Sequence, residues 1–594
     1  MNKDKVIKEN CNLCITEEEN GIRKIIVPKG IRFIGNWKEY NIVDFQLPHI
    51  LNKKIPGCGF TEYCIKTTQT PLVLCSPRIM LLENKYEQHP EVFYYKNAVS
   101  DELSTDKDLT KFHKLPKEKT PEEKKLLGEK YKESIIDLEN RLSDYLLKCS
   151  IKGIVPKILV TYDSFRHVKE YLEKRNLLER YYIVIDEFQS IFTDSRFKSS
   201  TELEFVNILQ GINKVCYVSA TPMIDEYLKQ IDEFKDLPYF ELDWVSEDYT
   251  RAIKPDLKVR VMKSISSKSE EIIKTYKEGK FEILTIVDQE TGEIGEIISN
   301  EAVFYINSVS NICEVIKKNK LSPLECNILC ARNYENNKKV RDAFNSVKRD
   351  LREEGIKVEW NVPREIIGKV PLKGEINKMF TFCTRTVYLG ADFYSKCART
   401  FILSDANIDS LAVDISLDLP QILGRQRDLS NPWKNRAEFY YKTLREENAL
   451  TREDFDKYIE KKINKTRDLL SSYETTKDFA KHTLAETLER DTKTTNYSFN
   501  YVAVNCHSSK DIVPVFNNLV LVAEQRAFDI QQFDYKDRFT VFNTISEEGL
   551  TSDEVNNNIS EFLDNFESLP NFYYRMKSIC ESHLSDIELG VVLD

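Results

Sequence analysis

Residues 181–189 have the sequence Tyr-Tyr-Ile-Val-Ile-Asp-Glu-Phe-Gln, in which an aromatic and β-branched run leads directly into two adjacent carboxylates. Such a run predicts a central strand of a parallel sheet that is covered on both faces. Ligands of open α/β sheets bind beyond the carboxyl ends of the strands, where Asp186 and Glu187 are expected. The first carboxylate suits Mg²⁺, and the second suits the attacking water of a phosphoryl transfer. The alternative is a strand that ends in a solvated acidic turn, and the order of the surrounding segments decides against it.

The composition is that of an ordinary globular protein. Of the 594 residues, 41% are hydrophobic and 31% charged, with 18 glycines and 19 prolines, which excludes a disordered or fibrous chain. A chain of this length exceeds one hydrophobic core, so we expect two to four domains. The formal net charge of −10 excludes a pervasively basic surface, although a local positive cleft can still bind nucleic acid.

The cysteines and the hydropathy indicate an intracellular protein. The 14 cysteines are scattered singly, many of them in apolar runs, as is usual for reduced core residues. Cys11 and Cys14 have the only zinc-like spacing and lack a second pair, so no zinc site is predicted. No run approaches the roughly 20 apolar residues that span a bilayer, and the N-terminus leads into no apolar segment. We therefore expect a cytoplasmic protein without a membrane partner.

A glycine loop follows another predicted strand at residues 49–61, His-Ile-Leu-Asn-Lys-Lys-Ile-Pro-Gly-Cys-Gly-Phe-Thr. A strand, a glycine loop and a helix start form the setting in which backbone N–H groups bind phosphate. Against the pattern G-x-x-x-x-G-K-[ST], Gly59 and Thr61 match the last glycine and the hydroxyl residue that contacts Mg²⁺. Phe60, however, stands at the lysine position, and Lys54 at the first glycine position.

This departure has two interpretations. In the first, the phosphate lysine has moved to the front of the loop, where Lys53 or Lys54 supplies the cation. In the second, the lysine is lost and nucleotide binding is weak or absent. The retention of Gly57, Gly59 and Thr61 favours the displaced lysine.

Strands and helices alternate through most of the chain, which predicts an α/β fold with doubly wound parallel sheets. The predicted buried strands lie within residues 71–78, 157–165, 181–187, 214–222, 257–262, 302–308, 326–331, 379–384, 400–404 and 413–415. Two sets of such strands in one chain predict two tandem lobes.

The predicted domain boundaries follow from changes in this pattern. Residues 1–45 are an N-terminal lead-in, and 46–245 form the first lobe, with a charged helical insertion at about 100–150. Residues 246–440 form the second lobe. Residues 441–594 form an accessory region of mixed, mainly helical structure that carries no motif.

The chemistry-bearing segments occur in a characteristic order. They are Gly57-Cys58-Gly59 with Thr61, Ser76-Pro77-Arg78, Thr161-Tyr162-Asp163-Ser164, Asp186-Glu187, Ser219-Ala220-Thr221, Thr384-Arg385-Thr386 with Gly390-Ala391-Asp392, and Gln421-Ile422-Leu423-Gly424-Arg425-Gln426-Arg427. Each segment is common by chance, but the ordered set is specific. It resembles the superfamily 2 helicases, and within them the divergent viral and phage enzymes related to herpesvirus origin-binding proteins. The resemblance covers roughly residues 45 to 440 and implies two RecA-like lobes that use ATP and Mg²⁺.

The resemblance also implies a role for each segment. The implied catalytic residues are Asp186, Glu187, Gln421, Arg425 and Arg427, with the two arginines acting as arginine fingers on the γ-phosphate. The implied nucleotide contacts are Lys53, Lys54, Gly57, Cys58, Gly59, Thr61, Gly390 and Asp392, of which Asp392 holds the ribose. Thr61 and Asp186 hold Mg²⁺.

Two further groups complete these implied roles. Ser219, Ala220 and Thr221 couple hydrolysis to lobe movement. Ser76, Arg78, Thr161, Ser308 and Thr384 contact the sugar–phosphate backbone, so binding is expected to be sequence-tolerant and salt-sensitive.

The sequence departs from the family pattern at three points. Phe60 replaces the phosphate lysine. Phe188 and Gln189 follow the acidic pair, where the common branches have Ala-Asp or Ala-His. Arg427 lies two residues after Arg425, where many members have a spacing of three.

An alternative for the two arginines is a pair of charges on a helix surface, which the neighbouring Gln421 and Gly424 disfavour.

The sequence therefore predicts an ATP-dependent nucleic-acid translocase or helicase, with DNA favoured over RNA. We expect it to act with replication proteins in DNA replication or recombination of a phage or mobile element. The alternative is a helicase-like scaffold that binds nucleic acid or a protein partner without hydrolysing ATP. Phe60 favours this alternative, whereas Asp186, Glu187 and Arg425 speak against it.

Overall fold

The structure is a computed structural model in which the chain forms two compact units. It describes residues 5–6, 13–17, 21–42, 45–96, 121–221, 228, 231–248, 256–287, 294–388, 391–415, 417–442, 451–475, 499–503, 512–516, 525–526 and 528. The first unit comprises Met1–Asn97, Glu133–Tyr249 and Glu446–Asp529, and the second comprises Ala98–Lys132, Thr250–Arg445 and Ile530–Asp594. The domain boundaries predicted at residues 45, 245 and 440 stay predictions.

A ten-stranded sheet forms the centre of the first unit. Its strands are β1 (Lys5–Val6), β2 (Ile15–Glu17), β3 (Ile22–Ile26), β4 (His49–Asn52), β5 (Leu72–Ser76), β6 (Phe93–Tyr95), β7 (Lys157–Thr161), β8 (Tyr182–Asp186), β9 (Val215–Ser219) and β10 (Tyr239–Asp243). Their spatial order is β1-β2-β3-β10-β4-β9-β8-β5-β7-β6. From β3 to β6 in this order the strands are parallel, and β1 and β2 are antiparallel additions at one edge.

Helices connect the parallel strands, as parallel sheets require. They are α1 (Phe60–Glu62), α2 (Ile79–Gln88), α3 (Pro121–Lys152), α4 (Phe165–Lys174) and α5 (Ser190–Leu209). The central strands are buried along their whole length, which explains the apolar runs that they contain. Helix α3 lies within the predicted insertion and packs through Leu138 and Leu142, which are fully buried. The rest of that prediction, residues 100–120, lies outside the described residues.

A six-stranded sheet forms the centre of the second unit. The strands of this unit are β11 (Asp256–Val261), β12 (Glu282–Val287), β13 (Ile294–Ser299), β14 (Glu301–Tyr305), β15 (Cys326–Leu329), β16 (Phe380–Cys383), β17 (Ala398–Asp405) and β18 (Arg436–Lys442). The sheet order is β11-β18-β17-β14-β16-β15, with every neighbouring pair parallel, and β12 and β13 form a separate antiparallel hairpin.

Helices also alternate with the strands of the second unit. They are α6 (Ile265–Lys277), α7 (Val309–Lys318), α8 (Tyr334–Glu353), α9 (Arg385–Tyr388) and α10 (Asp418–Leu423). Ser308 caps α7 by accepting a hydrogen bond from the Asn311 N–H at 3.1 Å, and Asn333 caps α8 in the same way. Phe304 stands at the centre of the core, with its ring stacked on those of Phe382 and Phe401 at 5.1 and 5.4 Å.

A long irregular segment, residues 356–379, lies along the edge strand β15, and we call it the edge strap. The Gly368 N–H donates to the Ile328 carbonyl at 2.9 Å, and the Asn327 side chain donates to the Lys369 carbonyl at 3.0 Å. A Cβ atom at Gly368 would overlap the Asn327 side-chain oxygen, so any other residue there would force the Asn327 side chain to move. Trp360 and Ile366 pack against the core and fix the strap to the sheet.

The described parts of the C-terminal region are α11 (Arg452–Thr475) and an antiparallel hairpin of β19 (Phe499–Ala503) and β20 (Ile512–Phe516). Phe455 of α11 stacks on Phe528 with a centroid distance of 3.9 Å. The rest of the predicted accessory region lies outside the described residues. None of the helices in the described ranges is long and apolar enough to cross a bilayer.

The predicted fold class, α/β with two tandem RecA-like parallel-sheet lobes, is confirmed. One predicted strand is wrong, because residues 413–415 form no ladder. There the Ser404 hydroxyl accepts from the Val413 N–H at 2.8 Å, and the Asp418 carboxylate accepts from the Asp414 N–H at 3.1 Å. Side chains thus replace the strand partner. Conversely, β18 is not among the strands that the sequence predicts, because charged residues at both ends interrupt its apolar pattern.

His49 makes the stability of the first unit sensitive to acid. It is fully buried in β4, and burial lowers its pKa from 6.5 to about 4, despite a 2.9 Å hydrogen bond with the Gln46 carbonyl. As the pH falls below 6.5, His49 therefore binds a proton in the unfolded chain but stays neutral in the folded chain. We expect this residue to remove about 3 kcal/mol of stability by about pH 4.

The check is chemical denaturation of wild type and His49→Asn between about pH 7 and pH 4. The variant should show a shallower loss of stability with falling pH. Some slope should persist, because burial also lowers the pKa of His167 to about 4. Equal slopes in the two proteins would contradict the assignment.

Candidate active site

The end of β4 fixes the backbone of Lys53 from two sides. Its N–H donates to the Ser219 carbonyl at the end of β9 at 2.8 Å. Its carbonyl accepts from the indole N–H of Trp244, a fully buried residue, at 2.9 Å. Lys53 therefore leaves the sheet in one defined direction, at the carboxyl ends of the parallel strands.

The Lys53 side chain lies between the carboxylates of Asp186, the last residue of β8, and Glu187, the next residue. Its Nζ is 3.0 Å from Asp186 Oδ1 and 3.4 Å from Glu187 Oε1, and all three side chains are buried. Burial alone would lower the pKa of Lys53, but Asp186 and Glu187 raise it above its ordinary value. Two carboxylates facing one ammonium leave an excess of negative charge, so the cluster suits an additional cation.

The backbone of Glu187 is strained. Its φ is +56°, in the left-handed region that a residue with a side chain adopts at a cost of about 1 kcal/mol or more. The Gln189 amide donates to Glu187 Oε2 at 2.7 Å, and the Ser190 hydroxyl donates to the Glu187 carbonyl at 2.7 Å. Strain that is held by such contacts is typical of functional sites. It directs the carboxylate towards Lys53.

The glycine loop places Thr61 beside Asp186. Gly57 and Gly59 have φ values of +77° and +78°, which residues with side chains rarely adopt. A Cβ atom at Gly59 would also lie 3.3 Å from that of Phe33, so the loop packs closely on the N-terminal segment. The Thr61 hydroxyl donates to Asp186 Oδ2 at 3.1 Å.

Phe60 and Lys54 point to other surroundings. Phe60, at the usual lysine position, is buried in the hydrophobic core. Lys54 has a φ of +59°, and its Nζ lies 2.7 Å from Glu241, which also accepts from Asn52 at 3.1 Å. Of the two candidate lysines, the structure brings only Lys53 to Asp186 and Glu187 in the described contacts.

Asp186 and Thr61 fit a magnesium ion. Both offer oxygen atoms, which Mg²⁺ prefers. The Tyr162 hydroxyl donates to the Asp186 carbonyl at 2.7 Å and holds that residue in place. Within the described ranges there is no group of three or more His, Cys, Asp or Glu side chains that could hold a metal. Mg²⁺ usually takes one or two protein ligands and fills its remaining positions with water and phosphate oxygens.

The predicted coupling segment borders this cluster directly. Ser219, Ala220 and Thr221 are buried, and the Ser219 hydroxyl accepts from the Thr221 N–H at 2.9 Å. Because the Ser219 carbonyl binds the Lys53 N–H, a shift of this segment would move Lys53. The coupling role itself stays a prediction.

A second cluster forms in the second unit. Arg425 is buried and donates to the carbonyl and the side chain of Gln421, and its Nη1 lies 3.6 Å from Asp392. Arg427 Nε donates to the same Asp392 oxygen at 2.8 Å. A short ladder holds the backbone, since Phe393 binds both Arg425 and Arg427. Four predicted residues thus come together, and the predicted contact at Gly390 lies outside the described residues.

The predicted nucleic-acid contacts have diverse surroundings. Ser76 and Thr161 end the neighbouring strands β5 and β7, while Ser308 and Thr384 follow the neighbouring strands β14 and β16. Arg78 forms a bidentate ion pair with the fully buried Asp194 at 2.7 and 2.9 Å. A phosphate would have to compete with Asp194 for this guanidinium group. Contact of these residues with nucleic acid stays a prediction.

Three residues of the first cluster are not among the predicted site residues. Gln189 binds the Glu187 carboxylate, Trp244 holds Lys53 and Tyr162 holds Asp186. The position of Gln189, two residues after Glu187, is a signal that could have identified it. Trp244 lies 191 residues from Lys53 in sequence and offers no such signal.

A scan against protein-family models and a search of curated proteins found no match. Three similar solved structures are the Mycobacterium smegmatis helicase Lhr bound to ssDNA and AMP-PNP, the DEAD-box helicase Mss116 bound to ssRNA and UDP-BeF, and T. fusca Cas3 with AMPPNP.

The similarity to all three is low. Their identities to this chain are 12%, 11% and 13%, and their TM-scores are 0.32, 0.34 and 0.34. The matches cover 66%, 90% and 90% of this chain and 44%, 98% and 56% of the other chains. The chain thus spans less than half of Lhr, and TM-scores at this level carry no argument about fold or activity.

The first cluster predicts a large effect of Lys53 on stability. Replacing Lys53 by Met leaves two buried carboxylates without their cation, which should cost about 3–5 kcal/mol of unfolding free energy. Lys66→Met is the matched control, because Lys66 pairs with Glu62 on the surface, with 57% of its side chain exposed. The control should change stability by less than about 1 kcal/mol. Equal effects in chemical denaturation would contradict the buried cluster.

Proposed function

We propose that this protein is an ATP-dependent nucleic-acid translocase or helicase of superfamily 2 type. The main support is the cluster of Lys53, Thr61, Asp186 and Glu187 beside a glycine loop at the carboxyl ends of parallel strands. This is the place and the set of groups that phosphoryl transfer requires. The order of the sequence motifs supports the assignment to superfamily 2 and to a nucleic-acid substrate.

In the proposed reaction, Lys53 takes the role of the displaced phosphate lysine. The ammonium group turns from the carboxylates to the phosphate oxygens of ATP and neutralises their charge. Bound Mg²⁺, held by Asp186 and Thr61, would neutralise further phosphate charge. Glu187 orients a water and accepts its proton, the water oxygen bonds to the γ-phosphorus, and the bond from that phosphorus to the β–γ bridging oxygen breaks, which releases ADP and phosphate.

We also propose roles in ATP hydrolysis for the residues of the second cluster. Arg425 and Arg427 act as arginine fingers, Gln421 orients Arg425, and Asp392 contacts the ribose. Ser76, Arg78, Thr161, Ser308 and Thr384 contact a sugar–phosphate backbone. The motif resemblance favours DNA over RNA and a role in replication or recombination of a phage or mobile element.

A second candidate is a helicase-like scaffold that binds nucleic acid or a protein without turning over ATP. Phe60 favours it, because a buried aromatic side chain at the usual lysine position cannot contact phosphate. The buried Lys53 cluster favours the enzyme instead, since a scaffold gains nothing from holding Glu187 in a strained conformation. Nucleotide binding separates the two candidates.

Lys53→Ala and Lys54→Ala should differ in nucleotide affinity. Loss of the phosphate contact should weaken binding of a fluorescent ATP analogue by about tenfold or more in Lys53→Ala. Lys54→Ala is the matched control, because its lysine pairs with Glu241 instead. Both should be measured by titration beside wild type. Absence of binding in wild type would establish the scaffold, and equal binding by both variants would reject the displaced lysine.

Glu187→Gln should strongly slow ATP turnover while DNA binding persists. The variant keeps the shape of the side chain but cannot accept the proton of the water, which should reduce kcat by about a hundredfold or more. ATP hydrolysis should be measured with and without single-stranded DNA, duplex DNA and RNA, together with binding to each. Unchanged hydrolysis in the variant would reject the role of Glu187. Turnover that no nucleic acid stimulates would reject the motor.

A further inference from the structure

Gln189 makes an unusual contact for a residue at the start of a helix. Its Nε2 donates to Glu187 Oε2 at 2.7 Å, while Lys53 Nζ faces the other carboxylate oxygen at 3.4 Å. Gln189 is buried, with 3% of its surface exposed. Glu187 is therefore held at both carboxylate oxygens, by an amide on one side and an ammonium group on the other.

The orientation of the Gln189 amide follows from its partner. An ionised carboxylate has no hydrogen to donate, so the amide must present its N–H side to Glu187. Its Oε1 then faces away, and this oxygen has no hydrogen-bond partner in the described part of the chain. A buried acceptor without a partner calls for an explanation. One explanation is that a bound substrate brings a donor to Gln189 Oε1.

The backbone around Gln189 makes this contact a rigid one. The Phe188 N–H donates to the Val218 carbonyl of β9 at 3.2 Å, and the Phe188 side chain is fully buried. The Thr193 N–H donates to the Gln189 carbonyl at 3.2 Å, at the first turn of α5. The positive φ of Glu187 turns the chain so that residues 187 and 189 lie on the same side. Gln189 can thus fix the carboxylate without moving itself.

We propose that Gln189 is a positioning residue, which holds the Glu187 carboxylate in the orientation needed to take the proton of the attacking water. The proposal rests on the proposed function, because it presupposes ATP hydrolysis. When Lys53 turns to the phosphates, Gln189 keeps its hydrogen bond to Glu187. The amide keeps the carboxylate from following the lysine, and the water proton passes to Glu187 as the γ-phosphorus bond to the water oxygen forms.

The test compares kcat and KM for ATP in Gln189→Glu and Gln189→Ala with wild type. Glu has the size of Gln but cannot donate when ionised, and Ala removes the amide altogether. Both variants should lower kcat by about tenfold, the worth of one hydrogen bond to a charged group, with KM for ATP nearly unchanged. Gln88→Glu is the matched control for charge, because Gln88 lies on the exposed side of α2, bonded to Asn84.

A double-variant cycle tests whether Gln189 positions the Glu187 carboxylate or only stabilises the fold. If Gln189 acts through Glu187, adding Gln189→Glu to the Glu187→Gln protein should not lower its single-turnover rate of ATP hydrolysis any further. A purely structural role would lower the rate by the same factor in both backgrounds, and that result would overturn the proposal. Wild-type values of kcat in both Gln189 variants would overturn it too. Absence of ATP turnover in wild type would instead reject the proposed function, and the inference with it.

Discussion

The buried contact of Lys53 with Asp186 and Glu187 constrains the whole first unit. Lys53 follows β4, the carboxylates stand at the end of β8, and β9 lies between these strands in the sheet. Two strand spacings separate the backbones by about 10 Å, which a lysine and a carboxylate can bridge only when both point inward at the same edge. A strand order that moved β4 away from β8 would leave three buried charges apart, at a cost of several kcal/mol. The ion cluster therefore requires these two strands to lie close together in the sheet.

Much of the fold is predictable from the sequence, because parallel strands buried on both faces must be continuously apolar. Residues 182–185 and 215–218 satisfy this rule, and they lie in the central strands β8 and β9. The neighbourhood of Asp186 and Thr61 follows from the same rule, since parallel strands deliver their carboxyl ends to one edge. The glycine loop belongs to this edge because it follows β4 directly.

Other features depend on contacts between residues that are distant in sequence. The choice between Lys53 and Lys54 follows from the positive φ of Lys54 and from Glu241, neither of which a pattern of residue types contains. The pairing of Arg78 with Asp194 is equally invisible, because 116 residues separate them. Residues 413–415 look like a strand because they are buried, yet side-chain acceptors take their N–H groups. The sequence pattern predicts which residues are buried, but it does not predict which hydrogen-bond or ion-pair partner each of them has.

The edge strap determines how the second sheet ends. An uncovered β15 would present a row of unpaired N–H and C=O groups, which are a template for β-strands of other molecules. Gly368 and Lys369 cover part of this row, so a partner protein that recognises targets by strand addition would have to displace the strap there. A homologue with a shorter segment between α8 and β16 would leave more of this edge open to such strand addition.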